Sequence, residues 1–169
     1  AIRIAGVRLR GDLLLASVQG EEDGGLGTLA TLRRGWRADA CVIPEPTSLA
    51  MIPANSGALT FRLRVRGLAT HAARRTEGVS AIEKFWPLHR ALTELERRRH
   101  GGVDPRMARW PLAHPISVGT VHAGDWASSV PDLLVAEGRS GVAIGESVAD
   151  ARRELEDAIA EARGGEPWL

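Results

Sequence analysis

A single cysteine, Cys41, occurs in the 169 residues, so no intrachain disulfide framework exists and a reducing compartment fits best. Lying in an apolar stretch, it reads as a buried small hydrophobe rather than a nucleophile. No apolar run approaches the roughly 18 residues of a membrane-spanning helix, and no secretory leader is visible, which points to a cytoplasmic protein off the membrane. Net charge is nearly absent as well: the formal value of +1 gives no general pull toward nucleic acid or a lipid surface. Lys84 is the only lysine; the arginine excess is taken as coding bias rather than function. Internal repeats and low-complexity segments are missing too. What remains is ordinary for a soluble globular chain, with an apolar fraction of 44% and a charged fraction of 25%, so disorder is excluded. The length suits one domain or pieces of two.

The densest chemistry lies in Val18 to Thr28, VQGEEDGGLGT. An apolar run, Leu13 to Val18, delivers Glu21 and Glu22 into a glycine-rich turn that opens a helix. Neighbouring side chains on a strand face opposite ways, so adjacent glutamates serve one centre only where the strand ends and the backbone turns. A metal hydrolase needs one carboxylate on the ion and a second, unligated one to accept a proton from water. Glu22 and Glu21 fit that division of work. The plainer reading of the dipeptide is an acidic surface turn.

Along the chain, Asp12 to Val18 and Ala40 to Ile43 have the continuous apolar character of strands buried on both faces of an α/β sheet. Leu26 to Arg34 reads as a short helix between them. Pro44-Glu45-Pro46-Thr47 stops the second strand in a rigid turn. Glu45, a carboxylate at a strand end, is a second candidate ligand. After Gly57 the pattern changes: Leu59, Phe61, Leu63 and Val65 alternate with Thr60, Arg62, Arg64 and Arg66, a strand with one wet face. The arginines lack interleaved aromatics, so the face is read as solvated rather than as a nucleic-acid stripe. Ser80 begins a helix with capping-box spacing, whose apolar stripe is Ile82, Phe85, Trp86, His89, Leu92 and Leu95, with a kink expected at Pro87. Arg97 to His100 end it with positive charge at its negative pole. Ile116 to Ala123 and Asp132 to Val142, the latter broken by Gly138, read as strands. Ser147 caps a last helix with its stripe on Val148, Ala151, Leu155, Ala158, Ile159 and Ala162. The expected organisation is a partial α/β domain over 1–56, then an α+β domain over 57–169 in the order β-α-β-β-α. That order is one strand short of the ferredoxin-like split βαβ arrangement.

Four blocks, GEEDGG at 20–25, PEPTSL at 44–49, GLATHAARRTEGVSAIEK at 67–84 and SVGTVHAGDWASSVPD at 117–132, resemble the dinuclear zinc deacylase and exopeptidase family in that family's order. The family includes acetylornithine deacetylase, succinyl-diaminopimelate desuccinylase, aminoacylase and carboxypeptidase G. The resemblance implies a fragment of the zinc-peptidase catalytic sheet followed by a lid that makes the homodimer through residues 57–169. It makes Glu21 the general base, Glu22 and Glu45 ligands of two zinc ions, with cobalt or manganese as substitutes, and His71 the lid histidine that stabilises the oxyanion in a partner's site. Ser128 falls where many members carry an asparagine, and would donate a hydrogen bond to substrate. The implied substrates are N-acyl amino acids, as for acetylornithine deacetylase, or small peptides. None of His71, His89, His100, His114 or His122 has an Asp two positions later, so the family's His-x-Asp ligands are missing, as is its distal histidine. With Ala1 in place of an initiator Met, the chain reads as the middle of such an enzyme, inactive alone. Two other readings stand beside it: a non-catalytic dimerisation module, and a ferredoxin-like small-molecule sensor, which leaves GEEDGG and PEPT unexplained.

Overall fold

The computed structural model describes residues 4–22, 24–52 and 56–166. It divides into two compact units, Ala1–Met51 and Ile52–Leu169. In the first, the only regular element among the described residues is α1, Leu26–Arg33. The strands expected at 12–18 and 40–43 are not formed. Leu13, Leu14, Leu15, Val42 and Ile43 are exposed instead of buried, and Cys41 is exposed with them. The physical reason is that a strand exists only against a partner. Apolar pattern marks a segment suited to a sheet, but the ladder hydrogen bonds must come from neighbouring strands, and none is present among this unit's described residues.

The second unit contains, in chain order, β1 (Gly57–Arg66), β2 (Thr70–His71), α2 (Ala81–His100), β3 (Ile116–Ala123), β4 (Ser129–Val130), β5 (Leu133–Val142) and α3 (Val148–Arg163). A 3-10 segment, Ala72–Glu77, follows β2. β1, β5 and β3 form an antiparallel sheet in that spatial order, and β2 pairs with β4 in a separate two-stranded ribbon. Together with α2 and α3 this is the ferredoxin-like β-α-β-β-α order expected from the alternating strand and helical periods. β1 runs as its pattern requires: Phe61 and Val65 are buried while Arg62, Arg64 and Arg66 are exposed. Gly138 does not break β5. It sits opposite Phe61 in the register, where a Cβ would lie 2.4 Å from the Phe61 ring, so glycine lets the ring cross the strand.

The core is shared by two clusters. Phe61, Leu92, Leu95, Ile116, Leu155 and Ala158 form one. Val65, Ala81, Phe85, Leu88, Leu134 and Ala136 form the other. The stripe of α2 is rotated from the one expected. Ala81, Phe85, Leu88, Leu92 and Leu95 are buried, whereas Ile82 and Trp86 are exposed. Small Ala81 packs at the crowded helix start, next to the Pro131 carbonyl that accepts its amide hydrogen, and the larger Ile82 is turned outward. His89 is half-buried, edge-on to Phe85 with ring centroids 5.7 Å apart. The helix is continuous through Pro87. In α3 the buried positions are Ala151, Leu155 and Ala158, and Val148 is exposed.

Both long helices start on serine caps. Ser147 accepts from the Asp150 amide at 3.1 Å, and Ser80 accepts from the Glu83 amide at 3.3 Å. The capping box at Ser80 is not closed in return, because the Glu83 carboxylate pairs with Arg75. Ser147→Ala should therefore lower unfolding free energy by about 1 kcal/mol, read as a shift in urea midpoint at constant slope.

Candidate functional site

Each unit carries part of the expected site. In the first, the Gly25 amide donates to the carbonyls of Gly20 and Glu21, both at 3.0 Å, and the Gly27 amide donates to Gln19 at 2.9 Å. These bonds close the turn that starts α1, with Gly25 as its left-handed cap at φ 71°. Glu21 and Glu22 project from this turn and are exposed. Asp23, within the same block, lies outside the described residues. Glu45 is also exposed, in a turn where its amide donates to Ile43 and its carbonyl accepts from Thr47.

A zinc ion takes about four nitrogen, sulfur or oxygen donors. Among the described residues no group of three or more His, Cys, Asp or Glu is placed to hold a metal ion. Glu21, Glu22 and Glu45 by themselves therefore do not fit a zinc centre.

In the second unit the expected residues do come together. His71 ends β2 directly opposite Ser129 of β4, and the Ala72 amide donates to the Ser128 carbonyl at 2.8 Å. The Ala73 amide donates to His71 Nδ1 at 3.1 Å. With Nδ1 accepting, the ring's own N–H is the one on Nε2, a hydrogen-bond donor. This is a ring prepared to donate one hydrogen bond, the property an oxyanion stabiliser needs. His71 also meets Trp126 edge-on, with centroids 5.5 Å apart. The turn that carries Trp126 is closed by Ser129, whose amide and hydroxyl both donate to the Trp126 carbonyl, at 3.1 and 2.8 Å.

Trp126 and Asp125 were not singled out from sequence, although both lie in the GDWASSVPD block. The signal available was an aromatic placed in a turn, where packing alone does not require one. They border a groove of about 380 Å³, whose other walls include Ile82, Ala123 and Pro131. Outward rotation of Ile82 on α2 is what puts it there.

The profile of the peptidase dimerisation domain, M20 type, matches residues 53–166. The chain belongs to that family. Its likeness to named proteins extends further than the dimerisation domain. N-formyl-4-amino-5-aminomethyl-2-methylpyrimidine deformylase of Bacillus subtilis is 31% identical over 183 aligned positions, covering 99% of this chain and 41% of the relative. Acetylornithine deacetylase of Erwinia tasmaniensis is 31% identical over 103 positions, covering 56% of this chain and 24% of the relative. Among solved structures, the aminobenzoyl-glutamate utilization protein of Klebsiella pneumoniae superposes with TM-score 0.43 at 21% identity, over 64% of this chain and 25% of that one. The chain spans about two fifths of the length of the deformylases it matches. No helix among the described residues is long and apolar enough to cross a membrane.

Proposed function

We propose that this chain is a segment of a cytoplasmic, metal-dependent amidohydrolase that removes a small acyl group from an N-acylated amine, an N-acyl amino acid or a small peptide. The observation that carries this reading is the likeness to the Bacillus deformylase, which covers 99% of the chain and so takes in GEEDGG and PEPTSL as well as the lid. In this reading residues 1–56 are part of the catalytic domain and 57–169 are the lid and dimerisation domain. Glu21 is the base that takes a proton from the attacking water. His71 Nε2–H stabilises the oxyanion that forms on the amide carbonyl, and Ser128 contacts substrate. Glu22 and Glu45 are this segment's share of a two-zinc site, a site that also accepts cobalt or manganese and draws its nitrogen donors from the rest of the longer protein.

The test is turnover by that longer protein, with added zinc or cobalt, across N-formyl and N-acetyl amines, N-acyl amino acids and dipeptides. Hydrolysis of at least one class is expected, and none across the panel would end the proposal. The 169-residue chain alone should hold almost no zinc after exhaustive dialysis, measured by elemental analysis. Two tightly held ions per chain would overturn the ligand assignment.

A second reading, a non-catalytic assembly module, is favoured by one feature. Among the described residues β1 pairs only with β5, so its other edge is open, and an open edge invites a strand from another copy. It predicts a homodimer at tens of micromolar by light scattering. A strictly monomeric chain would count against it.

A further inference from the structure

The groove beside His71 has a chemical character that narrows the substrate. One part of its wall is aromatic and apolar, Trp126, 60% exposed, with Ile82, Ala123 and Pro131, and the rest is polar, with Asp125 and Ser129. Among the described residues one formal charge lines it, the carboxylate of Asp125, and no Lys, Arg or His does. Among the described residues that carboxylate has no hydrogen-bond or ion-pair partner. A ligand bearing its own carboxylate at this position would meet Asp125 with like charge and find no cation to receive it. A flat ring carrying basic nitrogen would find the opposite, an indole to stack on and an anion to pair with.

We propose that this groove is the specificity subsite for the amine half of the substrate, and that it takes a planar heteroaromatic ring bearing a basic amino group rather than an α-amino acid. The proposal rests on the amidohydrolase reading for its link to catalysis. Trp126 supplies that link, because the indole that lines the groove also holds the edge contact to His71. A ring seated on Trp126 would lie next to the histidine proposed to meet the scissile carbonyl. Ser129 fixes the platform by bonding twice to the Trp126 carbonyl, so the indole is presented on a closed turn.

Binding to the 169-residue chain tests this without turnover. The probes are 4-amino-5-aminomethyl-2-methylpyrimidine, the unformylated amine in the Bacillus relative's name, and N-acetylleucine as an aliphatic comparator whose only charge is a carboxylate. The readout is the ¹H–¹⁵N indole signal of Trp126, assigned by its loss in Trp126→Phe. The pyrimidine should shift that signal saturably and N-acetylleucine should not. Asp125→Asn should weaken pyrimidine binding about tenfold, and Trp126→Ala should weaken it at least as much, followed on backbone amides of the turn. Unchanged remaining amide signals would show the fold intact in each variant. Equal binding of both probes, no binding of the pyrimidine, or undiminished binding by folded Asp125→Asn and Trp126→Ala would overturn the subsite. The two proposals fail separately. A longer protein that hydrolyses N-acetylornithine while the pyrimidine leaves Trp126 unmoved would remove the subsite and keep the amidohydrolase. Pyrimidine binding with no hydrolysis of any amide would do the reverse.

Discussion

Arg99→Ala should cost the dimerisation domain about 3–5 kcal/mol of stability, the range for breaking a buried ion pair from one side. Arg99 lies in the last turn of α2 with its side chain 8% exposed. It bonds Glu146 through both nitrogens, Nη1 to Oε1 at 2.9 Å and Nη2 to Oε2 at 2.7 Å, and Nη2 also donates to the Gly141 carbonyl at 3.1 Å. Nη1 reaches Glu154 of α3 as well. Glu146 Oε2 accepts in addition from the Ala143 amide at 2.7 Å. One guanidinium therefore joins α2, the end of β5, the following turn and α3. Truncation would leave the Glu146 carboxylate, half-buried, without its cation, and that penalty exceeds the modest net worth of an intact pair. The double variant Arg99→Met with Glu146→Gln should recover part of the loss, since it removes the stranded charge. Urea midpoints of the three proteins measure the difference, and a loss under 1 kcal/mol for Arg99→Ala would show that water replaces the clamp.

The same cluster sets an acid limit. Burial, with the Arg99 charge beside it, holds His114 below the ordinary imidazole value, and among the described residues its Nδ1 is buried without a partner. The folded state thus refuses a proton that the unfolded state takes, so stability should fall as pH drops below the ordinary histidine range near 6.5. Glu146 adds to the fall at lower pH, because its hydrogen bonds from Arg99 hold its carboxyl below the usual range. Both effects have one sign, and the dimerisation domain should be most stable at neutral pH and above. His114→Gln should flatten the upper part of the profile.

How far the sequence revealed this structure depended on where each segment's partners lie. Local rules were sufficient for β1, whose alternation needs only one buried face, and for the presence and starts of α2 and α3, whose serine caps are written within a few residues, but not for which face of α2 is buried. They were insufficient for 12–18 and 40–43, because an apolar run states a need for neighbouring strands without supplying them. Arg99 was misleading for a similar reason. In sequence it belongs to Arg97 to His100, read only as positive charge at the helix's negative pole, and its burial follows from partners 47 and 55 positions away. The site divides the same way. The GEEDGG turn was legible from its glycines, while the β2–β4 ribbon that sets Ser129 opposite His71 is two residues long on each side, too short to leave a period.

Glu21→Gln in the longer protein should lower kcat by about 10²–10⁴-fold with KM little changed, the range for losing a general base. Glutamine keeps the side chain's length and its capacity to accept a hydrogen bond, and loses only the ability to take up a proton at neutral pH. The substitution is informative because the turn does not depend on the carboxylate. Backbone groups hold it: the Gly25 amide bonds the carbonyls of Gly20 and Glu21, and the Leu26 amide returns to Gly20. Glu21 itself is exposed, so stability should change by no more than about 0.5 kcal/mol. A large fall in kcat with an unaltered melting temperature and unaltered metal content would place proton transfer on Glu21. Glu22→Gln should separate from it by losing metal as well as rate. If Glu21→Gln retained kcat within a few-fold, the acidic turn would be a surface feature, and the base would have to be sought elsewhere in the longer protein.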